Sequence, residues 1–287
     1  MTWSPSEAAG SVLDASGAGT APSVSTADAA QSHSAYRDVW SLLAASSDCG
    51  EVLEQNGLVI ASAGGKWSVM NIVFLSRPVA NEADLFDRIS FAKEYFAAKK
   101  RLWLFILFND WLDPSIRPEQ VLWDHRVAYV QGCFGMQATR ILEPARPAPE
   151  LVYRLVENDA ERLEFWGVNA DSYGFSEEWR NDMAAWMSQW PKSRIRLYLA
   201  YLGDKAVSSA MLHLIGDAAF LGFLATRQQH QGKGYAEAIA RHALARGADD
   251  WHFSKSILHC APSSLSLYRR LGYSEVASFG TYLGGCE

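Results

Sequence analysis

The chain has little cysteine for its 287 residues: four in all, Cys49, Cys133, Cys260 and Cys286, with no CxxC pair. That scarcity excludes a dense disulfide framework and a cysteine-rich zinc site, and no metal is expected. There is no excess of positive charge either. A formal net charge of -6 and a pI of about 5.7 deny the chain a global field for nucleic acid or anionic lipid, so neither is expected as a partner. Any polyanion must be held by a local site. No apolar run reaches the roughly 18 residues of a membrane span, and no Lys or Arg precedes Arg37. The expected setting is therefore cytoplasmic.

What is present divides the chain. Residues 1–34 are dominated by Ser, Ala, Gly and Thr and read as a disordered tail. Three prolines in "EPARPAPE", residues 143–150, forbid a continuous helix or a central strand and read as a linker. Between them, residues 35–142 offer strand, strand, helix, strand, helix, strand, with the long helix over Glu82 to Lys100. Residues 151–287 begin with the strand "LVYRLV", two helices over 159–190 and three strands, "IRLYLAYL", "AVSSAMLHLI" and "AAFLGFLAT". A glycine turn, a helix to about Arg246, the strand "SILHCA", the helix "SSLSLYRRLG" and a last strand complete it. The expectation is an α/β fold with a mixed sheet.

The informative stretch is the turn Gln231-Gly232-Lys233-Gly234-Tyr235-Ala236, ahead of Glu237. A strand leading through glycines into a helix presents unpaired N–H groups and the positive end of the helix dipole, which is an anion cradle. No Ser or Thr follows Lys233 as a Walker A loop demands, and Glu237 stands where a dinucleotide fingerprint needs its third glycine. A P-loop phosphotransferase is thereby disfavoured.

The turn resembles the Q/R-x-x-G-x-G/A pyrophosphate loop of the GCN5-related N-acetyltransferases, the GNAT superfamily. Downstream, "SLYRRLGYSEV" is similar to that family's LY-x-x-x-G-F/Y segment through Leu267, Tyr268, Gly272 and Tyr273. The resemblance covers residues 150–285 and is loose over 35–142, which look like a degenerate copy of the fold that binds no CoA. It implies an acetyl-CoA-dependent N-acetyltransferase acting by direct attack in a ternary complex. The cosubstrate's diphosphate would rest on the amides of Gly232 to Glu237, with Gln231 also in the cofactor-binding set, and its pantetheine arm along Leu224, Ala225 and Thr226. It further implies Tyr268 as general acid, a role a phenol suits because its pKa of about 10 lies near that of a thiol. Where relatives often carry an Asn that contacts the CoA arm, this chain has Ala261 and Pro262.

No acid stands on "AAFLGFLAT", so His259, then His213, are the candidate bases. The stripe Trp179, Met183, Trp186 and Trp190, with Trp166 and Tyr173, reads mainly as core, with one or two side chains lining an acceptor pocket. The expected partner is a small-molecule or peptide amine, and the expected state a monomer or homodimer. Two alternatives stay open: a catalytically silent CoA-binding module, and an aminoacyl-transferase of the tandem-GNAT type.

Overall fold

A computed structural model describes residues 25–285. The first 24 residues of the expected tail, and Cys286, lie outside the described part. Residues 25–34 correct the expectation. Ser25 caps a helix, α1 (Thr26–Ala45), by accepting from the Asp28 amide at 3.1 Å. Over its first turns the buried residues are mostly small, Ala29, Ser32 and Ala35 beside His33, and Val39 and Leu43 follow further along. Low hydrophobicity here reflects close approach to a sheet, not a lack of anything to bury.

The N-terminal half continues with β1 (Glu51–Gln55), β2 (Leu58–Ser62), β3 (Asn71–Leu75), α2 (Glu82–Lys99), β4 (Trp103–Phe108), α3 (Pro118–Asp124) and β5 (Ala128–Ala138). An irregular, mostly exposed stretch covers 143–150, where the prolines stand. The C-terminal half follows: β6 (Val152–Leu155), α4 (Asp159–Tyr173), α5 (Glu177–Met187), β7 (Ile195–Leu202), β8 (Lys205–Ile215) and β9 (Ala218–Thr226). It ends with α6 (Tyr235–Trp251), β10 (Lys255–Cys260), α7 (Leu265–Leu271) and β11 (Ser274–Gly284).

The eleven strands among the described residues form one mixed sheet, in the order β1-β2-β3-β4-β11-β5-β10-β9-β8-β7-β6. Two pairs are parallel, β3 with β4 and β9 with β10, each joined through a helix, α2 in one half and α6 in the other. The final strands are exchanged between the halves. β5 pairs with β10, five residues in register from Cys260↔Phe134 to Ser256↔Ala138, while β11 pairs with β4 from Phe279↔Phe108 to Gly284↔Trp103. The proline stretch therefore separates two halves in sequence that are interleaved in space.

Residues alternate across the sheet, so each strand feeds two cores. On one face Phe220 and Ile257 pack with α1, α4 and α5, in a cluster that includes Leu43, Trp166 and Met183. On the other, Leu221, Leu258 and Cys260 pack with Ile239, Ala243 and Leu244 of α6 and with Tyr268 of α7. In the N-terminal half, Leu85, Ile89, Ala92 and Phe96 of α2 join the strand residues Ile60, Val73 and Phe105.

Candidate active site

The site begins where β9 and β10 part. Their parallel pairing runs from Ala218↔Lys255 to Leu221↔Leu258 and stops, although both strands continue. Beyond Leu221 the edge of β9 has no ladder partner on the β10 side. The parting coincides with a β-bulge: Ser209 pairs with Ala225 and Met211 with Gly222, so Phe223 and Leu224 stand opposite Ala210 alone. Phe223 takes φ +44°, a left-handed conformation that costs a side-chain-bearing residue on the order of 1–2 kcal/mol. Ser208 braces the rim, its hydroxyl donating to the Ala225 carbonyl at 2.6 Å and lying 2.8 Å from Thr226 Oγ1.

After Thr226 the chain makes a single turn and enters the glycine loop, where Gln231 Nε2 donates to the Thr226 carbonyl at 3.1 Å. Gly232 and Gly234 adopt φ +75° and +82°. A Cβ at either position would meet open space, so backbone conformation, not crowding, requires these glycines. Gly234 is the N-cap of α6, and no side chain among the described residues caps it. The first intrahelical bond runs from the Ala238 amide to the Gly234 carbonyl, which leaves the amides of Tyr235, Ala236 and Glu237 without helical partners. Glu237 turns away to pair with Arg241 at 2.8 Å and Arg270 at 3.2 Å, and these guanidiniums hold its carboxyl below the usual range against the cost of burial.

The corresponding place in the other half is sealed. Asn81 caps α2 by accepting from the Asp84 amide at 2.9 Å, and Asp84 accepts from the Ala80 amide at 2.8 Å. The buried Arg88 guanidinium donates to the carbonyls of Arg77 and Pro78, both at 2.8 Å, and to that of Gly57 at 3.2 Å. One strand-to-helix corner is filled by its own side chains, and the other is open.

Residues 156–273, which hold the open corner, match the Acetyltransferase (GNAT) family. They are a GNAT domain. The comparison with solved structures extends the likeness over most of the chain. A GCN5-related N-acetyltransferase from Kribbella flavida has a TM-score of 0.67 at 15% identity, covering 88% of this chain and 95% of that one. A conserved protein of unknown function from Staphylococcus epidermidis ATCC 12228 gives 0.63 at 13% identity, covering 82% and 93%. A tandem GNAT protein from the clavulanic acid biosynthesis pathway gives 0.50 at 10% identity, covering 90% and 96%. At these identities the likeness is one of fold, and it makes the N-terminal half GNAT-like as well. Comparison with curated protein sequences gives no match.

Within the GNAT domain the structure gathers most of the expected residues. Leu224, Ala225 and Thr226 form the free edge of β9, and Gln231 to Glu237 the open corner beyond it. Tyr268 is buried beside Cys260 and Tyr273 on the α6 face, its ring 6.0 Å from that of Tyr273. Burial first, then the neighbouring Tyr173, Cys260 and Tyr273, raise its pKa well above the usual phenol value. The Tyr173 hydroxyl reaches the Leu224 carbonyl at 3.5 Å, which brings this end of α4 to the splay.

His259 lies at the splay but on the opposite face. Its ring is 4.0 Å from that of Tyr36, and its Nε2 is 2.9 Å from Ser32 Oγ, both on α1. Burial pushes its pKa down to about 3, so it is neutral at pH 7 but a very weak base. That weak basicity, with Nε2 already engaged by Ser32, counts against the expected role of proton acceptor. His213 is buried at the other end of β9, opposite Phe220 and Ile195, with burial lowering its pKa to about 4, and it takes no part in the splay. The tryptophans Trp166, Trp179, Trp186 and Trp190 are all core. The aromatic side chains at the splay that sequence reasoning missed are Tyr36 and Trp40, on the helix whose first turns resemble a tail.

Proposed function

We propose that the chain is an acetyl-CoA-dependent N-acetyltransferase whose donor site is the C-terminal splay and its glycine corner. The observation that carries the reading is the contrast between two strand-to-helix corners of one chain, α2 capped and plugged, α6 open behind two left-handed glycines. Residues Gln231 to Glu237 would hold the diphosphate through main-chain amides, and Leu224 to Thr226 would hold the amide-bearing arm as an added strand edge. Neither contact needs a basic surface, which fits a net charge of -6. Bound acetyl-CoA supplies an activated acyl carbonyl on a thiol leaving group.

The chain's own residues supply the rest. The bulge at Phe223 turns main-chain groups of Leu224 out of the ladder, where an N–H can polarise a carbonyl. Tyr268 remains a protonated phenol at any physiological pH. Apolar surroundings that penalise a phenolate equally penalise a thiolate, so handing the phenolic proton to the departing sulfur relieves charge where it is costliest. In the overall change a nitrogen–carbon bond forms, the carbon–sulfur bond breaks, and the amine loses one proton while the thiol gains one.

The test is acetyl-CoA consumption against a panel of amines, read as thiol release and as product mass. Turnover on at least one amine supports the reading. Acetyl-CoA that raises the melting temperature yet is never consumed would support a silent CoA-binding module instead.

A further inference from the structure

The face of the splay opposite Tyr268 is flanked by α1, a helix from outside the matched domain, which packs most closely on β2 and β11 and also reaches β5, β8 and β10. At this crossing the side chains are aromatic. Tyr36 lies with its ring 4.0 Å from His259, 5.3 Å from Phe279 and 6.3 Å from Phe220. Trp40 stands 6.5 Å from Tyr36 and 5.9 Å from the bulge residue Phe223. Phe220 and Phe279 are buried, whereas Tyr36, Trp40 and Phe223 are only partly so. Within the group, His259 Nε2 is taken by Ser32, while the buried Nδ1 has no hydrogen-bond partner among the described residues. A neutral imidazole with one unused nitrogen can give or accept one hydrogen bond.

This set carries no formal charge at neutral pH. A polyamine or a lysine-rich peptide needs carboxylates to offset its additional cations, and none of these six side chains supplies one. Aromatic faces can hold a single ammonium group and at the same time stack on a flat apolar body.

Resting on the acetyltransferase reading above, we propose that Tyr36 and Trp40 of α1, with Phe223 and His259, form the acceptor pocket, and that the acceptor is a primary amine borne on a small aromatic body. The N-terminal half thereby contributes the specificity of a reaction whose donor site lies in the C-terminal half. Tyr36, Trp40 and Phe223 make the stacking surface, and the free nitrogen of His259 gives the one polar anchor.

Calorimetric titration of the full chain tests the two readings separately. Acetyl-CoA alone probes the donor site; 2-phenylethylamine, spermidine and Nα-acetyl-lysine amide, each titrated alone, probe the acceptor pocket. The expected result is binding of 2-phenylethylamine at least tenfold tighter than of the other two, weakened tenfold or more by Trp40→Ala and by Tyr36→Ala, with the acetyl-CoA Kd within twofold of wild type. Should either alanine variant fail to fold, competition on the wild-type chain between 2-phenylethylamine and cyclohexylamine, followed by saturation-transfer NMR, keeps the test open, the flat ring being preferred. Equal affinity for the three amines, preference for spermidine, or unchanged aryl-amine binding in folded Trp40→Ala and Tyr36→Ala would overturn the pocket. Loss of acetyl-CoA binding by the wild-type chain would instead overturn the donor-site reading.

Discussion

Replacing Tyr268 with Phe removes one oxygen atom from a ring that is 7% exposed and enclosed by the α6-face core. The ring keeps its place beside Tyr273, so the cost in packing is small. Stability should stay within about 1 kcal/mol, the net worth of a single hydroxyl's interactions. The cosubstrate's expected anchors, the α6 amides and the β9 edge, lie on other elements, so the acetyl-CoA Kd should hold within about twofold. Turnover is a different matter. A general acid contributes on the order of 10²–10⁴ in rate, equivalent to roughly 3–5 kcal/mol of barrier. The assay is kcat by thiol release alongside calorimetric Kd, with the melting temperature as a folding control. A wild-type kcat in the folded variant would refute the acid assignment, and a parallel loss of binding and rate would make Tyr268 a structural residue.

Two further outcomes follow from the two histidines of lowered pKa and from α1. His259 and His213 have folded pKa values lowered to about 3 and about 4, so below pH 6.5 the unfolded chain binds protons that the folded chain refuses. Their contribution is complete above that pH and is lost as pH falls, by about 2 kcal/mol between pH 7 and pH 5 for the buried His213 and in the same direction for the partly accessible His259; a urea midpoint equal at both pH values would contradict this. Deleting residues 1–34 removes the buried Ala29, Ser32 and His33, the last stacked 3.8 Å from Phe108, and should lower the melting temperature by on the order of 5–10 °C. An unchanged melting curve would return that segment to the role of a tail.

The parts legible in the sequence were those that local chemistry writes. The glycine corner is a short-range signal, and the strands flanking it alternate or run apolar as their burial demands. The prolines at 144, 147 and 149 do mark an irregular stretch. The first turns of α1 escaped because most of their buried residues are Ala and Ser, whose value lies in close approach, visible only once a sheet is beneath them. β1 escaped because "EVLEQ" is an edge strand exposed on both sides. The strand exchange escaped for a different reason: the pattern of β11 specifies a strand with a buried face, but nothing in it says that β4, some 170 residues earlier, is its neighbour. The same non-local placement gave His259 its partners on α1 and lowered its basicity.

The central claim is that the open α6 corner grips a diphosphate and the sealed α2 corner does not. Calorimetric titration of the full chain with acetyl-CoA should give one site. Gly234→Val forces φ out of the left-handed region and turns the first-turn amides aside, which forfeits two or more charge-assisted hydrogen bonds of about 1.5–3 kcal/mol each and weakens binding by about 10² or more. Gly234→Asn, which tolerates that region, should fall between the two. A folded Gly234→Val chain that binds acetyl-CoA as tightly as wild type, or a wild-type stoichiometry of two, would contradict the account.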